Sequence, residues 1–195
     1  IQLVVRDELT TLMKERYPNL TINPEMVSQG IWLNGRGLWN ENKLIEITSS
    51  RSYTNNGILM AIQNHEDIPL TEFYQYLDSA SLVSTEIVIQ FIKNIWDGIF
   101  LQSEIIVADA QNFIDYKQGD IHPTVSIENG DNVFIGGGAS VRAGSVLDAS
   151  AGPIIIADNA YIDIGSLIQG PVYIGSGCVI NPGTKLRGNV TLGPQ

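Results

Sequence analysis

Cysteine, histidine and basic side chains are scarce in this chain of 195 residues, which has one cysteine, two histidines, and 11 basic against 21 acidic side chains. Cys178 has no partner for a disulfide within the chain, so a cytoplasmic location is expected. The formal net charge of −10 argues against nucleic acid and anionic membranes as partners, because lysine and arginine supply most of the affinity for phosphates. No apolar run approaches the length of a membrane span.

Acidic side chains and glycines are distributed unevenly along the chain. Residues 1–120 contain 16 acidic side chains, 8 basic side chains and 6 glycines. Residues 121–195 contain 5 acidic side chains, 3 basic side chains and 13 glycines. This change in composition predicts a domain boundary near residue 120. We expect an α/β portion over residues 1–100, a connector that is helical at first over residues 101–120, and a separate all-β domain over residues 121–195.

A six-residue repeat of aliphatic side chains runs through residues 121–195. The phased positions are Ile135, Val141, Leu147, Ile156, Ile162, Ile168, Ile174, Ile180, Leu186 and Leu192. Four positions after each of the first nine lies a small or short side chain, in Ala139, Ser145, Ala151, Ala160, Ser166, Val172, Cys178, Thr184 and Val190. Three positions after each of the nine lies mostly a turn former, in Gly138, Gly144, Ser150, Asn159, Gly165, Pro171, Gly177, Gly183 and Asn189.

The repeat predicts a left-handed parallel β-helix that begins at Ile121. Three hexapeptides make one triangular coil, with the large aliphatic residue filling the interior, the small one fitting near a corner, and glycine or asparagine adopting the corner dihedrals. A coiled coil would show a period of seven instead. The phase slips at residues 128–134 and 152–155, and these insertions predict outward loops.

The first 120 residues show a weaker, mixed α/β pattern. The predicted elements are a helix over residues 6–16, a strand at Ile31–Leu33 followed by a turn at Asn34–Gly35, a helix capped by Asn40 to about residue 49, a strand at Ile58–Gln63, a short helix capped by Thr71, and a helix from Ser84 through Phe100. The last of these is predicted from apolar residues spaced four apart, at Ile87, Phe91, Ile95 and Ile99.

Three segments resemble one bacterial enzyme family. Residues 31–44 contain an Asn-Gly-Arg segment, residues 96–100 read Trp-Asp-Gly-Ile-Phe, and residues 146–156 read like an entry into a β-helix. Together they are similar to the bifunctional N-acetylglucosamine-1-phosphate uridyltransferases and glucosamine-1-phosphate acetyltransferases. The resemblance implies an incomplete nucleotidyltransferase-like α/β domain followed by a left-handed β-helix of hexapeptide repeats.

The resemblance also implies functions, ligands and partners. The expected activity is sugar-1-phosphate nucleotidyl transfer and sugar N-acetyl transfer in UDP-N-acetylglucosamine synthesis. Acetyl-CoA and Mg²⁺ are the expected cofactors of the parent protein, a sugar phosphate and a nucleoside triphosphate its substrates, and a homotrimer through the β-helix its assembly. Two alternatives stay open: a nucleotidyltransferase similar to glucose-1-phosphate thymidylyltransferase, whose β-helix serves assembly, and a non-catalytic trimerisation scaffold.

The resemblance implies few site residues within the chain. Arg187, in Lys-Leu-Arg-Gly, corresponds to an arginine that binds the sugar phosphate, and a guanidinium suits bidentate contact with that group. Asn34 and Gly35 lie at the turn where the family holds Mg²⁺ through an aspartate. The chain opens at Ile1 and stops at Gln195 within a repeat, so we expect a fragment whose catalytic residues lie outside residues 1–195.

Other conspicuous residues have simple structural interpretations. Cys178 occupies a small inward position, and Gly136-Gly137-Gly138 lacks the Lys-Ser/Thr of a phosphate-binding loop and fits a corner. His65 is predicted to lie in a solvated loop, and His122 at the mouth of the β-helix. The γ-type carbonic anhydrases share this scaffold but need three zinc-binding histidines, which the repeats do not supply.

Overall fold

The computed structural model of this protein describes residues 1–47, 52–80 and 84–195, except the side chain of Ala80. Contacts within the chain divide it into two compact units, Ile1–Lys93 and Asn94–Gln195. The predicted division into residues 1–100, 101–120 and 121–195 stays a prediction.

The described part of the first unit is built from short strands and three α-helices. The strands are β1 (Gln2–Leu3), β2 (Thr21–Ile22), β3 (Met26–Val27), β4 (Gly30–Leu33), β5 (Ser52–Asn55), β6 (Ile58–Asn64), β7 (Ile68–Pro69) and β8 (Thr85–Glu86), and the helices are α1 (Thr10–Arg16), α2 (Glu41–Glu46) and α3 (Leu70–Ala80). A 3₁₀ turn at Asp7–Leu9 precedes α1. The main sheet has the order β4-β6-β5-β8, in which only β5 and β8 are parallel. The unit is therefore α/β, and its likeness to a nucleotidyltransferase stays a prediction.

Several predicted elements of the first unit are confirmed. Helix α1 and strands β4 and β6 lie where the sequence places them. Asn40 caps α2, because its side-chain oxygen accepts a hydrogen bond from the Lys43 amide at 3.0 Å. The predicted end of this helix near residue 49 lies outside the described residues. Thr71 is not a cap, because α3 already begins at Leu70.

The predicted helix from Ser84 through Phe100 is wrong. Strand β8 lies at its start and pairs with β5, and a helix begins only at Asp97. After β8 the exposed fraction alternates, from 4% at Ile87 to 80% at Val88 and 6% at Ile89. Such alternation is the two-residue period of extended chain rather than the period of a helix.

The second unit begins with α4 (Asp97–Asp109) and a 3₁₀ turn at Ala110–Phe113, which confirms that the connector is helical at first. Its strands form three stacked parallel faces. Face 1 contains β10 (Ser126–Glu128), β13 (Val146–Asp148), β16 (Leu167–Gln169) and β19 (Lys185–Arg187). Face 2 contains β11 (Val133–Ile135), β14 (Ile154–Ile156), β17 (Val172–Ile174) and β20 (Val190–Leu192). Face 3 contains β9 (Asp120–Ile121), β12 (Ser140–Val141), β15 (Tyr161–Ile162) and β18 (Val179–Ile180).

Each strand pairs with the strand one coil away, so the parallel β-helix is confirmed. Its left-handed winding stays a prediction. The aliphatic positions from Ile135 to Ile180 are buried and form one continuous core, with Leu186 and Leu192 partly buried against it. Ala151 is an exception among the predicted inward small residues, because it is exposed while Ala149 is buried instead.

The two predicted slips occur at the same corner, between faces 1 and 2. The first two coils have loops of residues 129–132 and 149–153 at this corner, whereas residues 170–171 and 188–189 suffice in the next two. The other corners are regular, and Gly138, Gly144, Asn159, Gly165, Gly177 and Gly183 all have positive φ there, as the repeat predicts. Ser150 and Pro171, at the irregular corner, do not have positive φ.

Helix α4 covers the outside of face 2. Ile106 and Ala110 pack against Phe134 and Ile155, the outward residues of β11 and β14. The middle residue of each face 2 strand points outward, so this contact forms a second, smaller core beside the prism.

Candidate functional site

The Asn34–Gly35 turn is held by its own hydrogen bonds. Asn34 Nδ2 donates to the Leu59 carbonyl at 2.9 Å, and Asn34 Oδ1 accepts from the Arg36 amide at 3.0 Å. The Trp39 indole donates to the Asn34 carbonyl at 3.0 Å. Both polar groups of the side chain are thus engaged in shaping the loop after β4, and the ligand role of Asn34 and Gly35 stays a prediction.

Arg36, which sequence reasoning did not single out, ties this loop to the segment after β8. Its Nε and Nη2 donate to the carbonyls of Ile92 and Lys93 at 2.8 and 2.7 Å. Its guanidinium lies 4.5 Å from the ring centroid of Phe91. The arginine of the Asn-Gly-Arg segment therefore has a structural role, and the only advance indication was its position after a turn.

The described residues do not fit a Mg²⁺ site. They contain no group of three or more histidine, cysteine, aspartate or glutamate side chains that could hold a metal ion. At the turn, Asn34 offers an amide oxygen already bonded to a backbone amide, and amides are weaker Mg²⁺ ligands than carboxylates. No metal-dependent step is therefore assigned to these residues.

Arg187 lies on face 1, at the end of β19. It is exposed, and within the described residues its guanidinium has no hydrogen bond or ion pair. Lys185 lies two residues earlier on the same strand, so both side chains project from the same side of the sheet. This strand therefore presents two cations with unused donors.

Three polar residues precede Arg187 in its column on face 1. The strand register places Glu128, Asp148, Gln169 and Arg187 at corresponding positions of four successive coils. Gln169 Nε2 donates to Asp148 Oδ2 at 3.2 Å, and the Ser150 amide donates to Asp148 Oδ1 at 3.0 Å. Hydrogen bonds from the backbone and side chain of Ser150, and then from Gln169, lower the pKa of the Asp148 carboxyl.

His122 has its Nδ1 occupied by neighbouring groups. The Thr124 amide donates to Nδ1 at 3.2 Å, and the Thr124 hydroxyl lies 2.9 Å from the same nitrogen. Since that hydroxyl oxygen accepts from the Gly144 amide, the hydroxyl proton is free to point at His122. Because a backbone amide can only donate, Nδ1 is the acceptor of this bond, and neutral His122 carries its proton on Nε2. His65 is exposed, after β6, as predicted.

The glycine run forms a corner between faces 2 and 3. A Cβ on Gly136 would collide with the carboxylate and backbone of Asp158, and one on Gly138 would collide with the Asn159 side chain. The Gly137 amide donates to Asp158 Oδ1 at 2.8 Å. The corner is therefore glycine-rich because side chains of the next coil fold over it.

An open cleft lies beside this corner. It is lined by Asp115, Tyr116, Gln118, Gly137, Asp158 and Asn159. The lining contains two carboxylates and no basic side chain, so the cleft is unsuited to a phosphate. Arg187 does not belong to this cleft.

Cys178 is buried in the prism, as predicted. Its Sγ lies 2.8 Å from the Gly193 carbonyl oxygen, to which the thiol donates. This position favours a packing role over a reactive thiol.

Comparison with known families identifies the repeat. A family model described as bacterial transferase hexapeptide (six repeats) matches residues 153–188, from the residue before β14 to the residue after β19. A search of curated proteins finds no match. In the described part of the chain, no helix combines the length and apolarity required to cross a membrane.

Proposed function

We propose that this chain is part of a hexapeptide-repeat transferase whose β-helix binds an anionic, phosphorylated sugar through Arg187. The observation that carries the proposal is an exposed, unpaired guanidinium on a stack of transferase-type repeats. A guanidinium can donate two parallel hydrogen bonds to a phosphate, and Lys185 beside it adds a second positive charge. Outward side chains are not needed for the core of the prism, so these two cations are free to serve a ligand.

The finer proposal is acetyl transfer from acetyl-CoA to an amino sugar phosphate, in a parent protein that also forms a sugar nucleotide from a nucleoside triphosphate. It rests on the resemblance of residues 31–44, 96–100 and 146–156 to one bacterial enzyme family. No general base is assigned within the described residues: Thr124 engages Nδ1 of His122, and the proton of the neutral ring lies on Nε2. The parent's base is proposed to come from another part of the assembly.

A scaffold function is the second candidate, and a specific surface favours it. Ile164, Leu167 and Val179 are 53%, 40% and 55% exposed around the corner between faces 3 and 1. Apolar side chains grouped on one edge are typical of an interface. We propose a homotrimer that buries this edge, either in the transferase or in a protein that only assembles.

Two activity assays on the full-length protein separate these candidates. One measures pyrophosphate release from UTP with N-acetylglucosamine 1-phosphate, and the other measures CoA release from acetyl-CoA with glucosamine 1-phosphate. Arg187→Ala should raise the KM for the sugar phosphate about tenfold or more, since a charge-assisted hydrogen bond contributes about 1.5–3 kcal/mol. Arg142→Ala, which removes another exposed arginine, is the matched control. Silence in both assays would leave the scaffold.

A further inference from the structure

We propose that strand β4 is a docking edge to which a second copy of this chain adds its own β4, antiparallel and about a two-fold axis. The pairing would join the sheets of two copies, each with the strand order β4-β6-β5-β8, into one continuous sheet. It concerns the first unit alone and does not depend on the anion proposed for Arg187.

The backbone of β4 has unused hydrogen-bonding groups. This strand lies at the end of its sheet and, among the described residues, pairs only with β6. The Asn34 amide donates to the Met60 carbonyl at 2.7 Å, one step beyond Leu33 in the ladder. In an antiparallel ladder this bond marks Leu33 as a member of a non-hydrogen-bonded pair, and the two kinds of pair alternate along the strand. The amides and carbonyls of Ile31 and Leu33 therefore point away from β6, toward the free edge.

Nothing in the described part of the chain covers this edge. The outward backbone groups of Ile31 and Leu33 have no hydrogen-bond partner there, and the two side chains are 53% and 38% exposed on one side of the strand. Natural edge strands usually carry a charge or a proline that prevents pairing with another chain. Residues 29–35 read Gln-Gly-Ile-Trp-Leu-Asn-Gly and contain neither. The edge is therefore an open template for one more strand.

A second β4 satisfies the edge completely. If Ile31 lies opposite Leu33 of the second copy, each residue donates its amide to the carbonyl of the other, and the two-fold axis makes four such bonds. The same register places the Ile31 side chain beside Leu33 of the second copy as an apolar cross-strand pair. Trp32 lies on the axis and meets its own copy on the other side of the sheet, where its ring packs edge-to-face on Phe73 at 5.2 Å.

The charge distribution favours a second copy over a foreign strand. The chain has a net charge of −10, so two copies repel wherever their acidic surfaces approach. Residues 29–35 are uncharged, and the guanidinium of Arg36, which follows them, is bonded to the carbonyls of Ile92 and Lys93. A neutral edge offers no charge that would select a foreign partner, whereas its donors, acceptors and apolar side chains complement themselves.

Amide exchange of the full chain, followed residue by residue by NMR at increasing concentration, tests the pairing. The amides of Ile31 and Leu33 should exchange rapidly in dilute solution and become protected as the concentration rises, whereas the Trp32 amide, bonded within the ladder to β6, should stay protected throughout. Ile31→Lys/Leu33→Lys places like charges opposite one another and should raise the concentration needed for protection about tenfold or more. Ile45→Lys is the matched control, because it adds a lysine at a 69% exposed residue of α2 in the same unit, and it should change nothing.

Disulfide formation tests the register. The Cα atoms of a hydrogen-bonded antiparallel pair are about 5.5 Å apart, within the range of a disulfide, whereas identical positions in this register are about 9 Å apart. A mixture of Ile31→Cys and Leu33→Cys chains should therefore form the mixed disulfide several times faster than either chain forms a disulfide with itself. The native Cys178 is buried and does not compete.

Three results would overturn the pairing. They are exchange at Ile31 and Leu33 that stays rapid at every concentration, protection that is present at every concentration because another segment covers the edge, and equal disulfide rates in the mixed and separate chains. Neither measurement involves a ligand, so failure of anion binding at Arg187 would leave the result at β4 unchanged.

Discussion

Replacing Ile162 by alanine tests whether the phased aliphatic residues carry the stability of the β-helix. Ile162 is fully buried in β15, in the same interior column as Val141 and Ile180 of the neighbouring coils. The Arg142 amide donates to the Ile162 carbonyl at 2.9 Å, and the Asp163 amide donates to that of Ile180 at 3.0 Å. These inter-coil bonds hold the strands at fixed spacing, so the walls around a deleted side chain cannot easily collapse.

The cost follows from the volume removed and this rigidity. Replacing a large buried aliphatic residue by alanine lowers the free energy of unfolding by about 2–5 kcal/mol. The loss is larger where the surrounding structure relaxes little. We expect about 3–4 kcal/mol for Ile162→Ala. Ile114→Ala is a matched control, because the same atoms are removed from a side chain of the second unit that is 53% exposed and lies outside the proposed trimer edge. Its expected cost is below about 1 kcal/mol.

Hydrogen exchange of peptides covering residues 154–180 is the assay, because it reports on the second unit without interference from the first. A loss of 3 kcal/mol corresponds to exchange about a hundredfold faster for amides that exchange through unfolding of this region. If Ile162→Ala and Ile114→Ala accelerated exchange equally, the interior would not be what stabilises the stack.

Three further predictions concern other parts of the chain. Gly136→Ala should destabilise the second unit by about 2 kcal/mol or more, because its Cβ would meet the Asp158 backbone nitrogen at 2.7 Å. Gly98→Ala, in α4 with open space around it, should instead stabilise the helix by up to about 1 kcal/mol. Thermal unfolding of both variants checks this prediction. Asn40→Ala should cost about 1 kcal/mol by removing the cap of α2, seen as faster exchange of the Lys43 amide, and unchanged exchange would contradict the capping role. Because the pKa of Asp148 is lowered in the folded state, its ionised form should contribute stability above the ordinary value of 3.8, and this contribution should disappear as pH falls through the lowered pKa. Unfolding titrations from pH 7 to pH 2 should therefore show Asp148→Asn less stable than the wild type at neutral pH and converging with it in acid, and a constant difference would refute the linkage.

The β-helix could be predicted because every coil repeats the same requirement. In each hexapeptide one aliphatic residue has to be buried, and the corner that follows has to accept positive φ. Ten positions that meet this requirement in phase therefore support one interpretation, a parallel β-helix. Asn159 illustrates this, since it takes φ 59° at the point where most other regular corners use glycine. Ala151 shows the limit, because the insertion beside it shifts Ala149 into the inward position instead.

The helix predicted after Ser84 was wrong because the apolar residues of this segment fit both the period of a helix and the two-residue period of extended chain. Spacing of four residues from Ile87 to Phe91 fits a helix, but the pattern of alternate burial at Ile87 and Ile89 fits extended chain. Pairing of β8 with β5 decides between them, and that contact lies about thirty residues away in sequence. The tight turn at Asn56–Gly57, where both residues have positive φ, joins β5 to β6 and was also not anticipated.

The candidate site was predicted only in part, because its geometry depends on the irregular corner. Arg187 was identified from the resemblance of a four-residue segment to one enzyme family. The six-residue repeat did not show that Asp148, Gln169 and Arg187 occupy corresponding positions of successive coils. Asp148 and Gln169 are 21 residues apart, whereas Gln169 and Arg187 are 18 apart, so no single period connects the three. The three additional residues lie in the loop that contains Ser150, whose amide holds Asp148 in place. The feature that breaks the sequence pattern is thus also the feature that fixes the polar column, which is why the column could be recognised only from the strand register.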